Sequence, residues 1–381
     1  MSLAEAWRRA VRRELDAAVE LRHEVHRRPR ISGDETETAD LVTAAIGRGP
    51  GRPVAGTGRL VEVAGGRGPG AVALRTELDA LPVAERTEVS WASGNAAMHA
   101  CGHDVHMAAV VAVSRAAASV QLPVPLLALL QPREEAADSG ALDVVREGVL
   151  ADVAAVVAAH VQPRLPVGTI GVTPGPVNAA IDEFTVTVRG QGGHSGYPHT
   201  VTDSVLALAS IVVSLQQLGA RRVDPVVGIA CMVNQLRAGS ANNVVPESAE
   251  GSGTVRTMRE EDRTQAHAAL LEIATHVAAA HGCTADVRIA DGGPSLVNDE
   301  HLATRAYLLL EEMGHPVTAD FRSFGSDDFS HYCASTRGLM MFVGTGDAGG
   351  GLHDATFLPG DHYVATVADA LVAGYCAAVE G

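Results

Sequence analysis

Ala71-Val-Ala-Leu-Arg-Thr-Glu-Leu-Asp79 begins apolar and ends on two carboxylates. A short apolar run of this kind reads as a buried strand. The same grammar recurs twice. Pro125-Leu-Leu-Ala-Leu-Leu130 is followed by Glu134 and Glu135, and Val153-Ala-Ala-Val-Val-Ala-Ala159 by His160. Helical stretches, 106–120 and 141–150, lie between. Strands alternating with helices predict an α/β fold, a mostly parallel sheet with helices on both faces. Sites in open sheets of that kind form beyond the carboxyl ends of the strands. The polar ends of all three runs are therefore expected along one edge.

A further stretch can reach that edge. Met98-His-Ala-Cys-Gly-His-Asp-Val-His-Met-Ala108 carries four metal-capable side chains, His99, Cys101, His103 and His106, within eight residues. Cys101 and His103 are two apart, so an extended backbone presents both on one side. Gly102 between them lets the chain bend tightly around an ion. A thiolate beside an imidazole suits zinc or a neighbouring borderline metal. A buried thiol beside surface histidines is the plainer alternative, and the crowding of four such groups with Asp104 counts against it.

The chain has 381 residues, too many for one ordinary core, so two domains are expected. A formal net charge of −16 argues against a nucleic-acid or anionic-membrane partner. Residues 1–30 are charged throughout and lack the apolar core of a signal peptide. The longest apolar runs are too short to span a bilayer. Five cysteines, odd in number and scattered, fit a reducing cytosol, and a cytoplasmic location is expected.

Outside these stretches, one helix is expected over 5–28, ended by Pro29, and another over 34–46. Residues 47–58 read as a Gly- and Pro-rich loop. After Pro174-Gly-Pro176 the pattern changes. Strands are expected over 183–189, 226–234, 250–258 and 284–290, with helices over 203–218 and 260–281. That order is βαββαβ, the ferredoxin-like arrangement. It predicts an inserted domain, 181–290, within a catalytic domain made of 1–180 and 291–381. The returning segment carries a helix over 301–313, the polar loop 325–328, a strand over 339–343, His353 in a Gly-rich loop, and a closing helix over 363–379.

Adjacent carboxylates such as Glu134 and Glu135 are usually a solvated surface pair. At the end of a buried strand, both stay charged only if something compensates them. A divalent ion does so. Neighbouring side chains diverge, so one carboxylate can ligate while the other takes a proton from water, the division of labour in metal-assisted hydrolysis. His160 and His353 gain meaning only as members of such a set. Gly192-Gly-His-Ser-Gly196 sets His194 in a flexible loop, either a surface turn or a group that closes on substrate or steadies an oxyanion. Asn243 and Arg256 offer amide and guanidinium donors between two strands. Arg suits a carboxylate because its fork binds two oxygens, although a hairpin with a surface Arg explains these residues equally well.

In series, these pieces resemble a known family. They are Leu74-Arg-Thr-Glu-Leu-Asp-Ala-Leu-Pro82, Met98-His-Ala-Cys-Gly-His-Asp-Val-His106, Gln131-Pro-Arg-Glu-Glu135, Gly192-Gly-His194 with Pro198-His199, Asn243-Val-Val-Pro246 and Gly253-Thr-Val-Arg256. The family is that of the metallo-amidohydrolases and metallopeptidases related to aminoacylase and zinc carboxypeptidases. The nearest branch contains hippurate hydrolase, N-acyl-amino-acid hydrolases and auxin-conjugate hydrolases. The resemblance covers nearly the whole chain, and the Cys-Gly-His-Asp block is specific to that branch.

The resemblance implies two divalent metal ions, with zinc or manganese first in line and nickel or cobalt also compatible. Cys101 would bridge them, and His103, Glu135, His160 and His353 would complete the set. Glu134 would be the general base, and Asp79 would orient a ligand. The inserted domain would serve as lid and dimer interface, with His194 reaching the partner subunit's active site. Asn243 and Arg256 would grip a substrate carboxylate. The implied reaction is hydrolysis of an N-acyl amino acid to a carboxylic acid and an amino acid. A dipeptidase or carboxypeptidase using the same centre is the alternative, and a metal-binding dimer without turnover stands behind both. The chain departs from the pattern where Arg75-Thr-Glu-Leu-Asp79 replaces Arg-Ala-Asp-Met-Asp, which puts the role of the longer Glu77 in question. Ala136, Asp327-Asp328 and Ser195-Gly196 are further departures.

Overall fold

The computed structural model describes residues 1–346 and 349–380. They form two compact units. One is Met1–Gly175, Val297–Arg322 and the residues from Asp328 on; the other is Pro176–Leu296 with Ser323–Asp327.

The larger unit carries a sheet of eight strands among the described residues. Four of them run parallel in its middle: Leu126–Gln131, Ala71–Glu77, Val153–Gln162 and Arg337–Gly344, in that order. Their carboxyl ends share one edge. Every residue of Ala71–Glu77 is buried, which is why the run lacks alternation. Arg52–Val54 and Gly58–Ala64 add an antiparallel flank on one side; Ile170–Gly171 and Val317–Thr318 extend the other. Helices His103–Ala116 and Tyr363–Val379 pack on each other within the same core. Trp7, fully buried, joins them and donates its indole N–H to Val113 O at 3.1 Å.

Four local expectations are corrected. The helix expected over 5–28 is two helices, Leu3–Val11 and Leu15–Arg27. The break at Arg12–Glu14 is tightened by bonds from Arg13 N to Ala10 O and Glu14 N to Val11 O, so each helix can aim its apolar face separately. The expected loop 47–58 contains Arg52–Val54, and the strand Gly58–Ala64 was not anticipated. Cys101 and His103 do not share an extended backbone: Gly102 is left-handed, at φ +82°, and His103 starts a helix. His160 lies inside its strand, which runs on to Gln162.

The smaller unit has a four-stranded sheet in the order Ile229–Ala238, Ser248–Thr257, Ala180–Arg189, Thr284–Asp291, antiparallel throughout. Helices Ser204–Leu215 and Glu260–Ala280 pack on it. Phe184, Val186 and Val188 alternate inward to meet them. Buried Asp182 ties sheet to helix, accepting from Arg263 at 2.7 and 2.5 Å and lying 2.7 Å from His267 Nε2.

Arg8 grips Asp369 with two bonds, at 2.9 and 2.6 Å, and His315 Nε2 lies 2.9 Å from the same carboxylate. Burial alone would push Asp369 up, but the hydrogen bonds from His315 and Arg8 outweigh it and hold its pKa below the usual value. A carboxylate depressed on folding contributes stability that is present above its unfolded pKa of ~3.9 and is lost as pH falls through the folded value. Asp369→Asn is expected to lower stability by about 1–3 kcal/mol at pH 7. The gap to the parent should narrow below pH ~3.9. Urea unfolding at pH 7 and at acid pH measures both.

Candidate metal centre

The strand Leu126–Gln131 leads into a turn at Arg133, whose φ of +53° is left-handed. A non-glycine residue holds that conformation only when its surroundings fix it. Here the fully buried Glu35 does so, accepting from Arg133 N at 2.9 Å, Gly33 N at 2.8 Å and Thr57 Oγ1 at 2.6 Å. The turn sets Glu134 and Glu135 beside the end of Ala71–Glu77. There Asp79 Oδ2 accepts from Glu135 N at 2.9 Å and Ser32 Oγ at 2.7 Å. A Cβ on Gly102 would come 2.4 Å from a methyl of Val161, so only glycine fits between Cys101 and His103. His353, left-handed at φ +69°, is pinned by its N–H donating to Ala100 O at 2.8 Å.

These turns gather one set of side chains. Cys101, His103 and Glu135 present ligand atoms within 4.8 Å of one another. Cys101 Sγ is 3.4 Å from His160 Nε2. His353 Nε2 lies 3.2 Å from Glu135 Oε1, although the pair is too poorly aligned for a hydrogen bond. Glu134 Oε2 sits 3.7 Å from His103 Nε2. The imidazoles are oriented from behind. His103 Nδ1 is 2.8 Å from Asp79 O, and His160 Nδ1 is 2.6 Å from Val161 O. A carbonyl can only accept, so both Nδ1 atoms carry protons and Nε2 is in each ring the nitrogen left to face the cluster. His103 Nε2, Asp79 Oδ1 and Glu135 Oε1 are buried without a hydrogen-bond partner.

The electrostatics say what is wanted there. Burial, reinforced by Glu135 and Glu134, pushes the Cys101 thiol well above its usual range. Burial raises Asp79 as well. His103 is raised despite its burial, because Glu77, Asp79 and Glu135 surround it with negative charge. His160 falls to about 3 through burial, with His106 and His103 adding to the effect. A thiol that cannot ionise, carboxylates crowded out of water and a His103 Nε2 without a hydrogen-bond partner are all relieved by cations. The mixed sulfur, nitrogen and oxygen set fits a borderline divalent metal.

Cys101, His103, Glu134, Glu135, His160, His353 and Asp79 are thus brought together in the larger unit. His99 and His106, counted as metal-capable in the sequence, stand apart: His99 is buried with neither ring nitrogen hydrogen-bonded, and both nitrogens of His106 are in use. In the smaller unit, His194 is exposed on the short strand Gly193–His194, paired with Val244–Val245. Ser195 N donates to Asn243 O at 3.1 Å, so His194 and Asn243 are neighbours. Arg256 lies on Ser248–Thr257 and donates from Nη1 to Phe324 O at 2.8 Å. Sequence reasoning missed Glu35 and Ser32, whose roles depend on contacts across the fold. Glu77 and Arg75 carried a signal, an Arg and a Glu two apart in a buried strand, where neither can stay charged alone.

Comparison with known proteins agrees with this centre. Residues 73–368 match the family described as Peptidase family M20/M25/M40. N-acetylcysteine deacetylase of Bacillus subtilis is 31% identical over 334 residues, 86% of this chain and 88% of that protein. Thermostable carboxypeptidase 1 of Saccharolobus solfataricus is 29% identical over 357 residues, 91% of this chain and 90% of that one. The solved structure of a dinuclear metal-binding peptidase of the M20 family from Bacillus subtilis superposes with a TM-score of 0.84 at 29% identity, covering 97% of this chain and 99% of that one. No helix of the described residues is long and apolar enough to cross a membrane. A metal-ligating cluster at the carboxyl edge of a parallel sheet, in a chain of this likeness, is that of an amide-bond hydrolase, and the protein belongs to the M20/M25/M40 peptidase family.

Proposed function

We propose that the chain is a metal-dependent amidohydrolase that cleaves N-acyl amino acids to a carboxylic acid and an amino acid. The observation that carries this reading is the meeting of Cys101, His103, Glu135, His160 and His353 with Glu134 at their rim. Those five would hold two divalent ions, zinc or manganese before nickel or cobalt, with Cys101 shared. Such ions, when bound, supply Lewis acidity to an amide carbonyl and make a water easier to deprotonate. Glu134, beside His103 and outside that ligand set, would take that proton and hand it to the leaving amine. Asp79 keeps Glu135 and His103 in register through the Glu135 N–H and the His103 Nδ1–H. Arg256 and Asn243 would grip the substrate carboxylate, and His194 would steady the oxyanion, from a partner subunit if the smaller unit pairs two copies. The likeness to a carboxypeptidase supports a second reading, a peptidase using the same centre.

Surface chemistry of the smaller unit supports self-association. Ile229–Ala238 is an edge strand of its sheet, with Met232 and Leu236 each 58% exposed, and Val213 on helix Ser204–Leu215 is 73% exposed. An open edge with apolar side chains is a template for a second copy. All five cysteines are free, as suits the cytoplasm, where we place the enzyme.

Glu134→Gln should bind metal as the parent does, yet lose ~10²–10⁴-fold in turnover of an N-acetyl amino acid. Near-parent turnover at full metal content would reject the role. Arg256→Lys should raise KM for acylated amino acids by ~10-fold or more while leaving kcat nearly unchanged, since uniform binding is what a carboxylate grip supplies. A panel of N-acyl amino acids against dipeptides decides between the two readings. A variant with Glu at both 232 and 236 should sediment as a single chain; an unchanged mass would place any association elsewhere.

A further inference from the structure

Strands Ala71–Glu77 and Val153–Gln162 are hydrogen-bonded neighbours only as far as Leu74 and Val157. Beyond that rung each keeps its outer partner. Ala71–Glu77 stays with Leu126–Gln131 out to Glu77, and Val153–Gln162 stays with Arg337–Gly344 out to Gln162. The two central strands therefore part just where the candidate ligands gather. Parting leaves backbone donors without a ladder, and a buried donor must find another partner. Val161 N–H finds His106 Nε2, at 3.0 Å. A backbone N–H can only donate, so His106 Nε2 carries the lone pair and Nδ1 the proton. That proton points at Glu77 Oε2, 3.0 Å away on the opposite strand. The imidazole thus spans the gap as a side-chain rung.

The rung is anchored behind Glu77. Arg75, 1% exposed, bonds Glu77 Oε1, Gln131 Oε1 at 2.8 Å and Asp328 Oδ1 at 2.9 Å. Gln131 and Ser139 also donate to Asp328, and Tyr332 to Gln131. Arg75, Glu77 and His106 are all buried. With both nitrogens engaged, His106 cannot ligate, so its closeness to Glu77, His103 and His160 does not make a further metal site.

We propose that Glu77 and His106 are positioning residues. Their bridge fixes the peptide joining His160 to Val161, and with it the aim of His160 Nε2 at Cys101. The proposal rests on the reading of His160 as a metal ligand. The Glu77 side chain reaches an imidazole across strands that have separated.

Chelator-stripped protein titrated with Co²⁺ tests it, with the cobalt–thiolate absorption band as the signal and far-UV circular dichroism as the check on fold. Glu77→Gln and His106→Asn are each expected to weaken Co²⁺ binding by ~10–100-fold and to alter the band, with the fold intact. The double variant should bind no more weakly than the weaker single one, because the two residues form one bridge. Uptake by the parent matched by both variants overturns this proposal alone. No uptake by the parent overturns the metal-centre reading and this proposal with it. Loss of the metal-free fold in either single variant overturns it too, since the bridge would then be a condition of folding rather than of aim.

Discussion

Negative charge buried at the ends of parallel strands is the constraint from which the rest of the larger unit follows. Glu77 and Asp79 stand where apolar strands deliver them, out of reach of bulk water, with Glu135 half-buried beside them. Each needs a partner. Glu77 has Arg75 and His106; Asp79 has Ser32 and the Glu135 N–H; Glu135 faces His353, poorly aligned, and its Oε1 is left without a hydrogen bond. Compensation is complete at the back of the cluster and incomplete at the front. The front is where Cys101, His103 and Glu134 stand, and that asymmetry makes the place a binding site rather than a knot of structural ion pairs.

The same constraint explains the unusual backbone nearby. Three turns bring side chains to the sheet edge, at Gly102, Arg133 and His353, and all three are left-handed. At Gly102 the absence of a Cβ removes the strain. At Arg133 and His353 no such relief exists, and hydrogen bonds from their own N–H groups to Glu35 and Ala100 O hold the chain in place. Strain tolerated next to a polar cluster is a feature of sites in which geometry matters more than local comfort.

Much of this was legible in the sequence. Apolar runs ending in Glu, Asp or His exposed both the parallel sheet and the edge on which its chemistry collects. The gathering of Cys101, His103, Glu135, His160 and His353 was anticipated from residue type and likeness, and Tyr363–Val379 matched its expected bounds. What could not be read depended on pairing. Gly58–Ala64 is half-exposed and mixes Arg59 and Glu62 with its valines, so its strand character rests on its neighbours. His106 looks like a ligand in one dimension; only the separation of two strands shows that its nitrogens are engaged elsewhere. Glu35 gave no sign of its role, because two of its three partners, Arg133 N and Thr57 Oγ1, are loop atoms distant in sequence that meet it only after folding.

The strand order has a consequence for how the chain is made. Val153–Gln162 lies in the middle of its sheet, yet its neighbour Arg337–Gly344 is synthesised far later. The smaller unit is encoded entirely between them. A nascent chain can therefore finish most of that unit while one side of a long apolar strand still waits, open, for its mate. His353 leaves the ribosome later still, with only the helix Tyr363–Val379 among the described elements after it, so a product truncated before His353 would carry a sticky sheet with no chemistry.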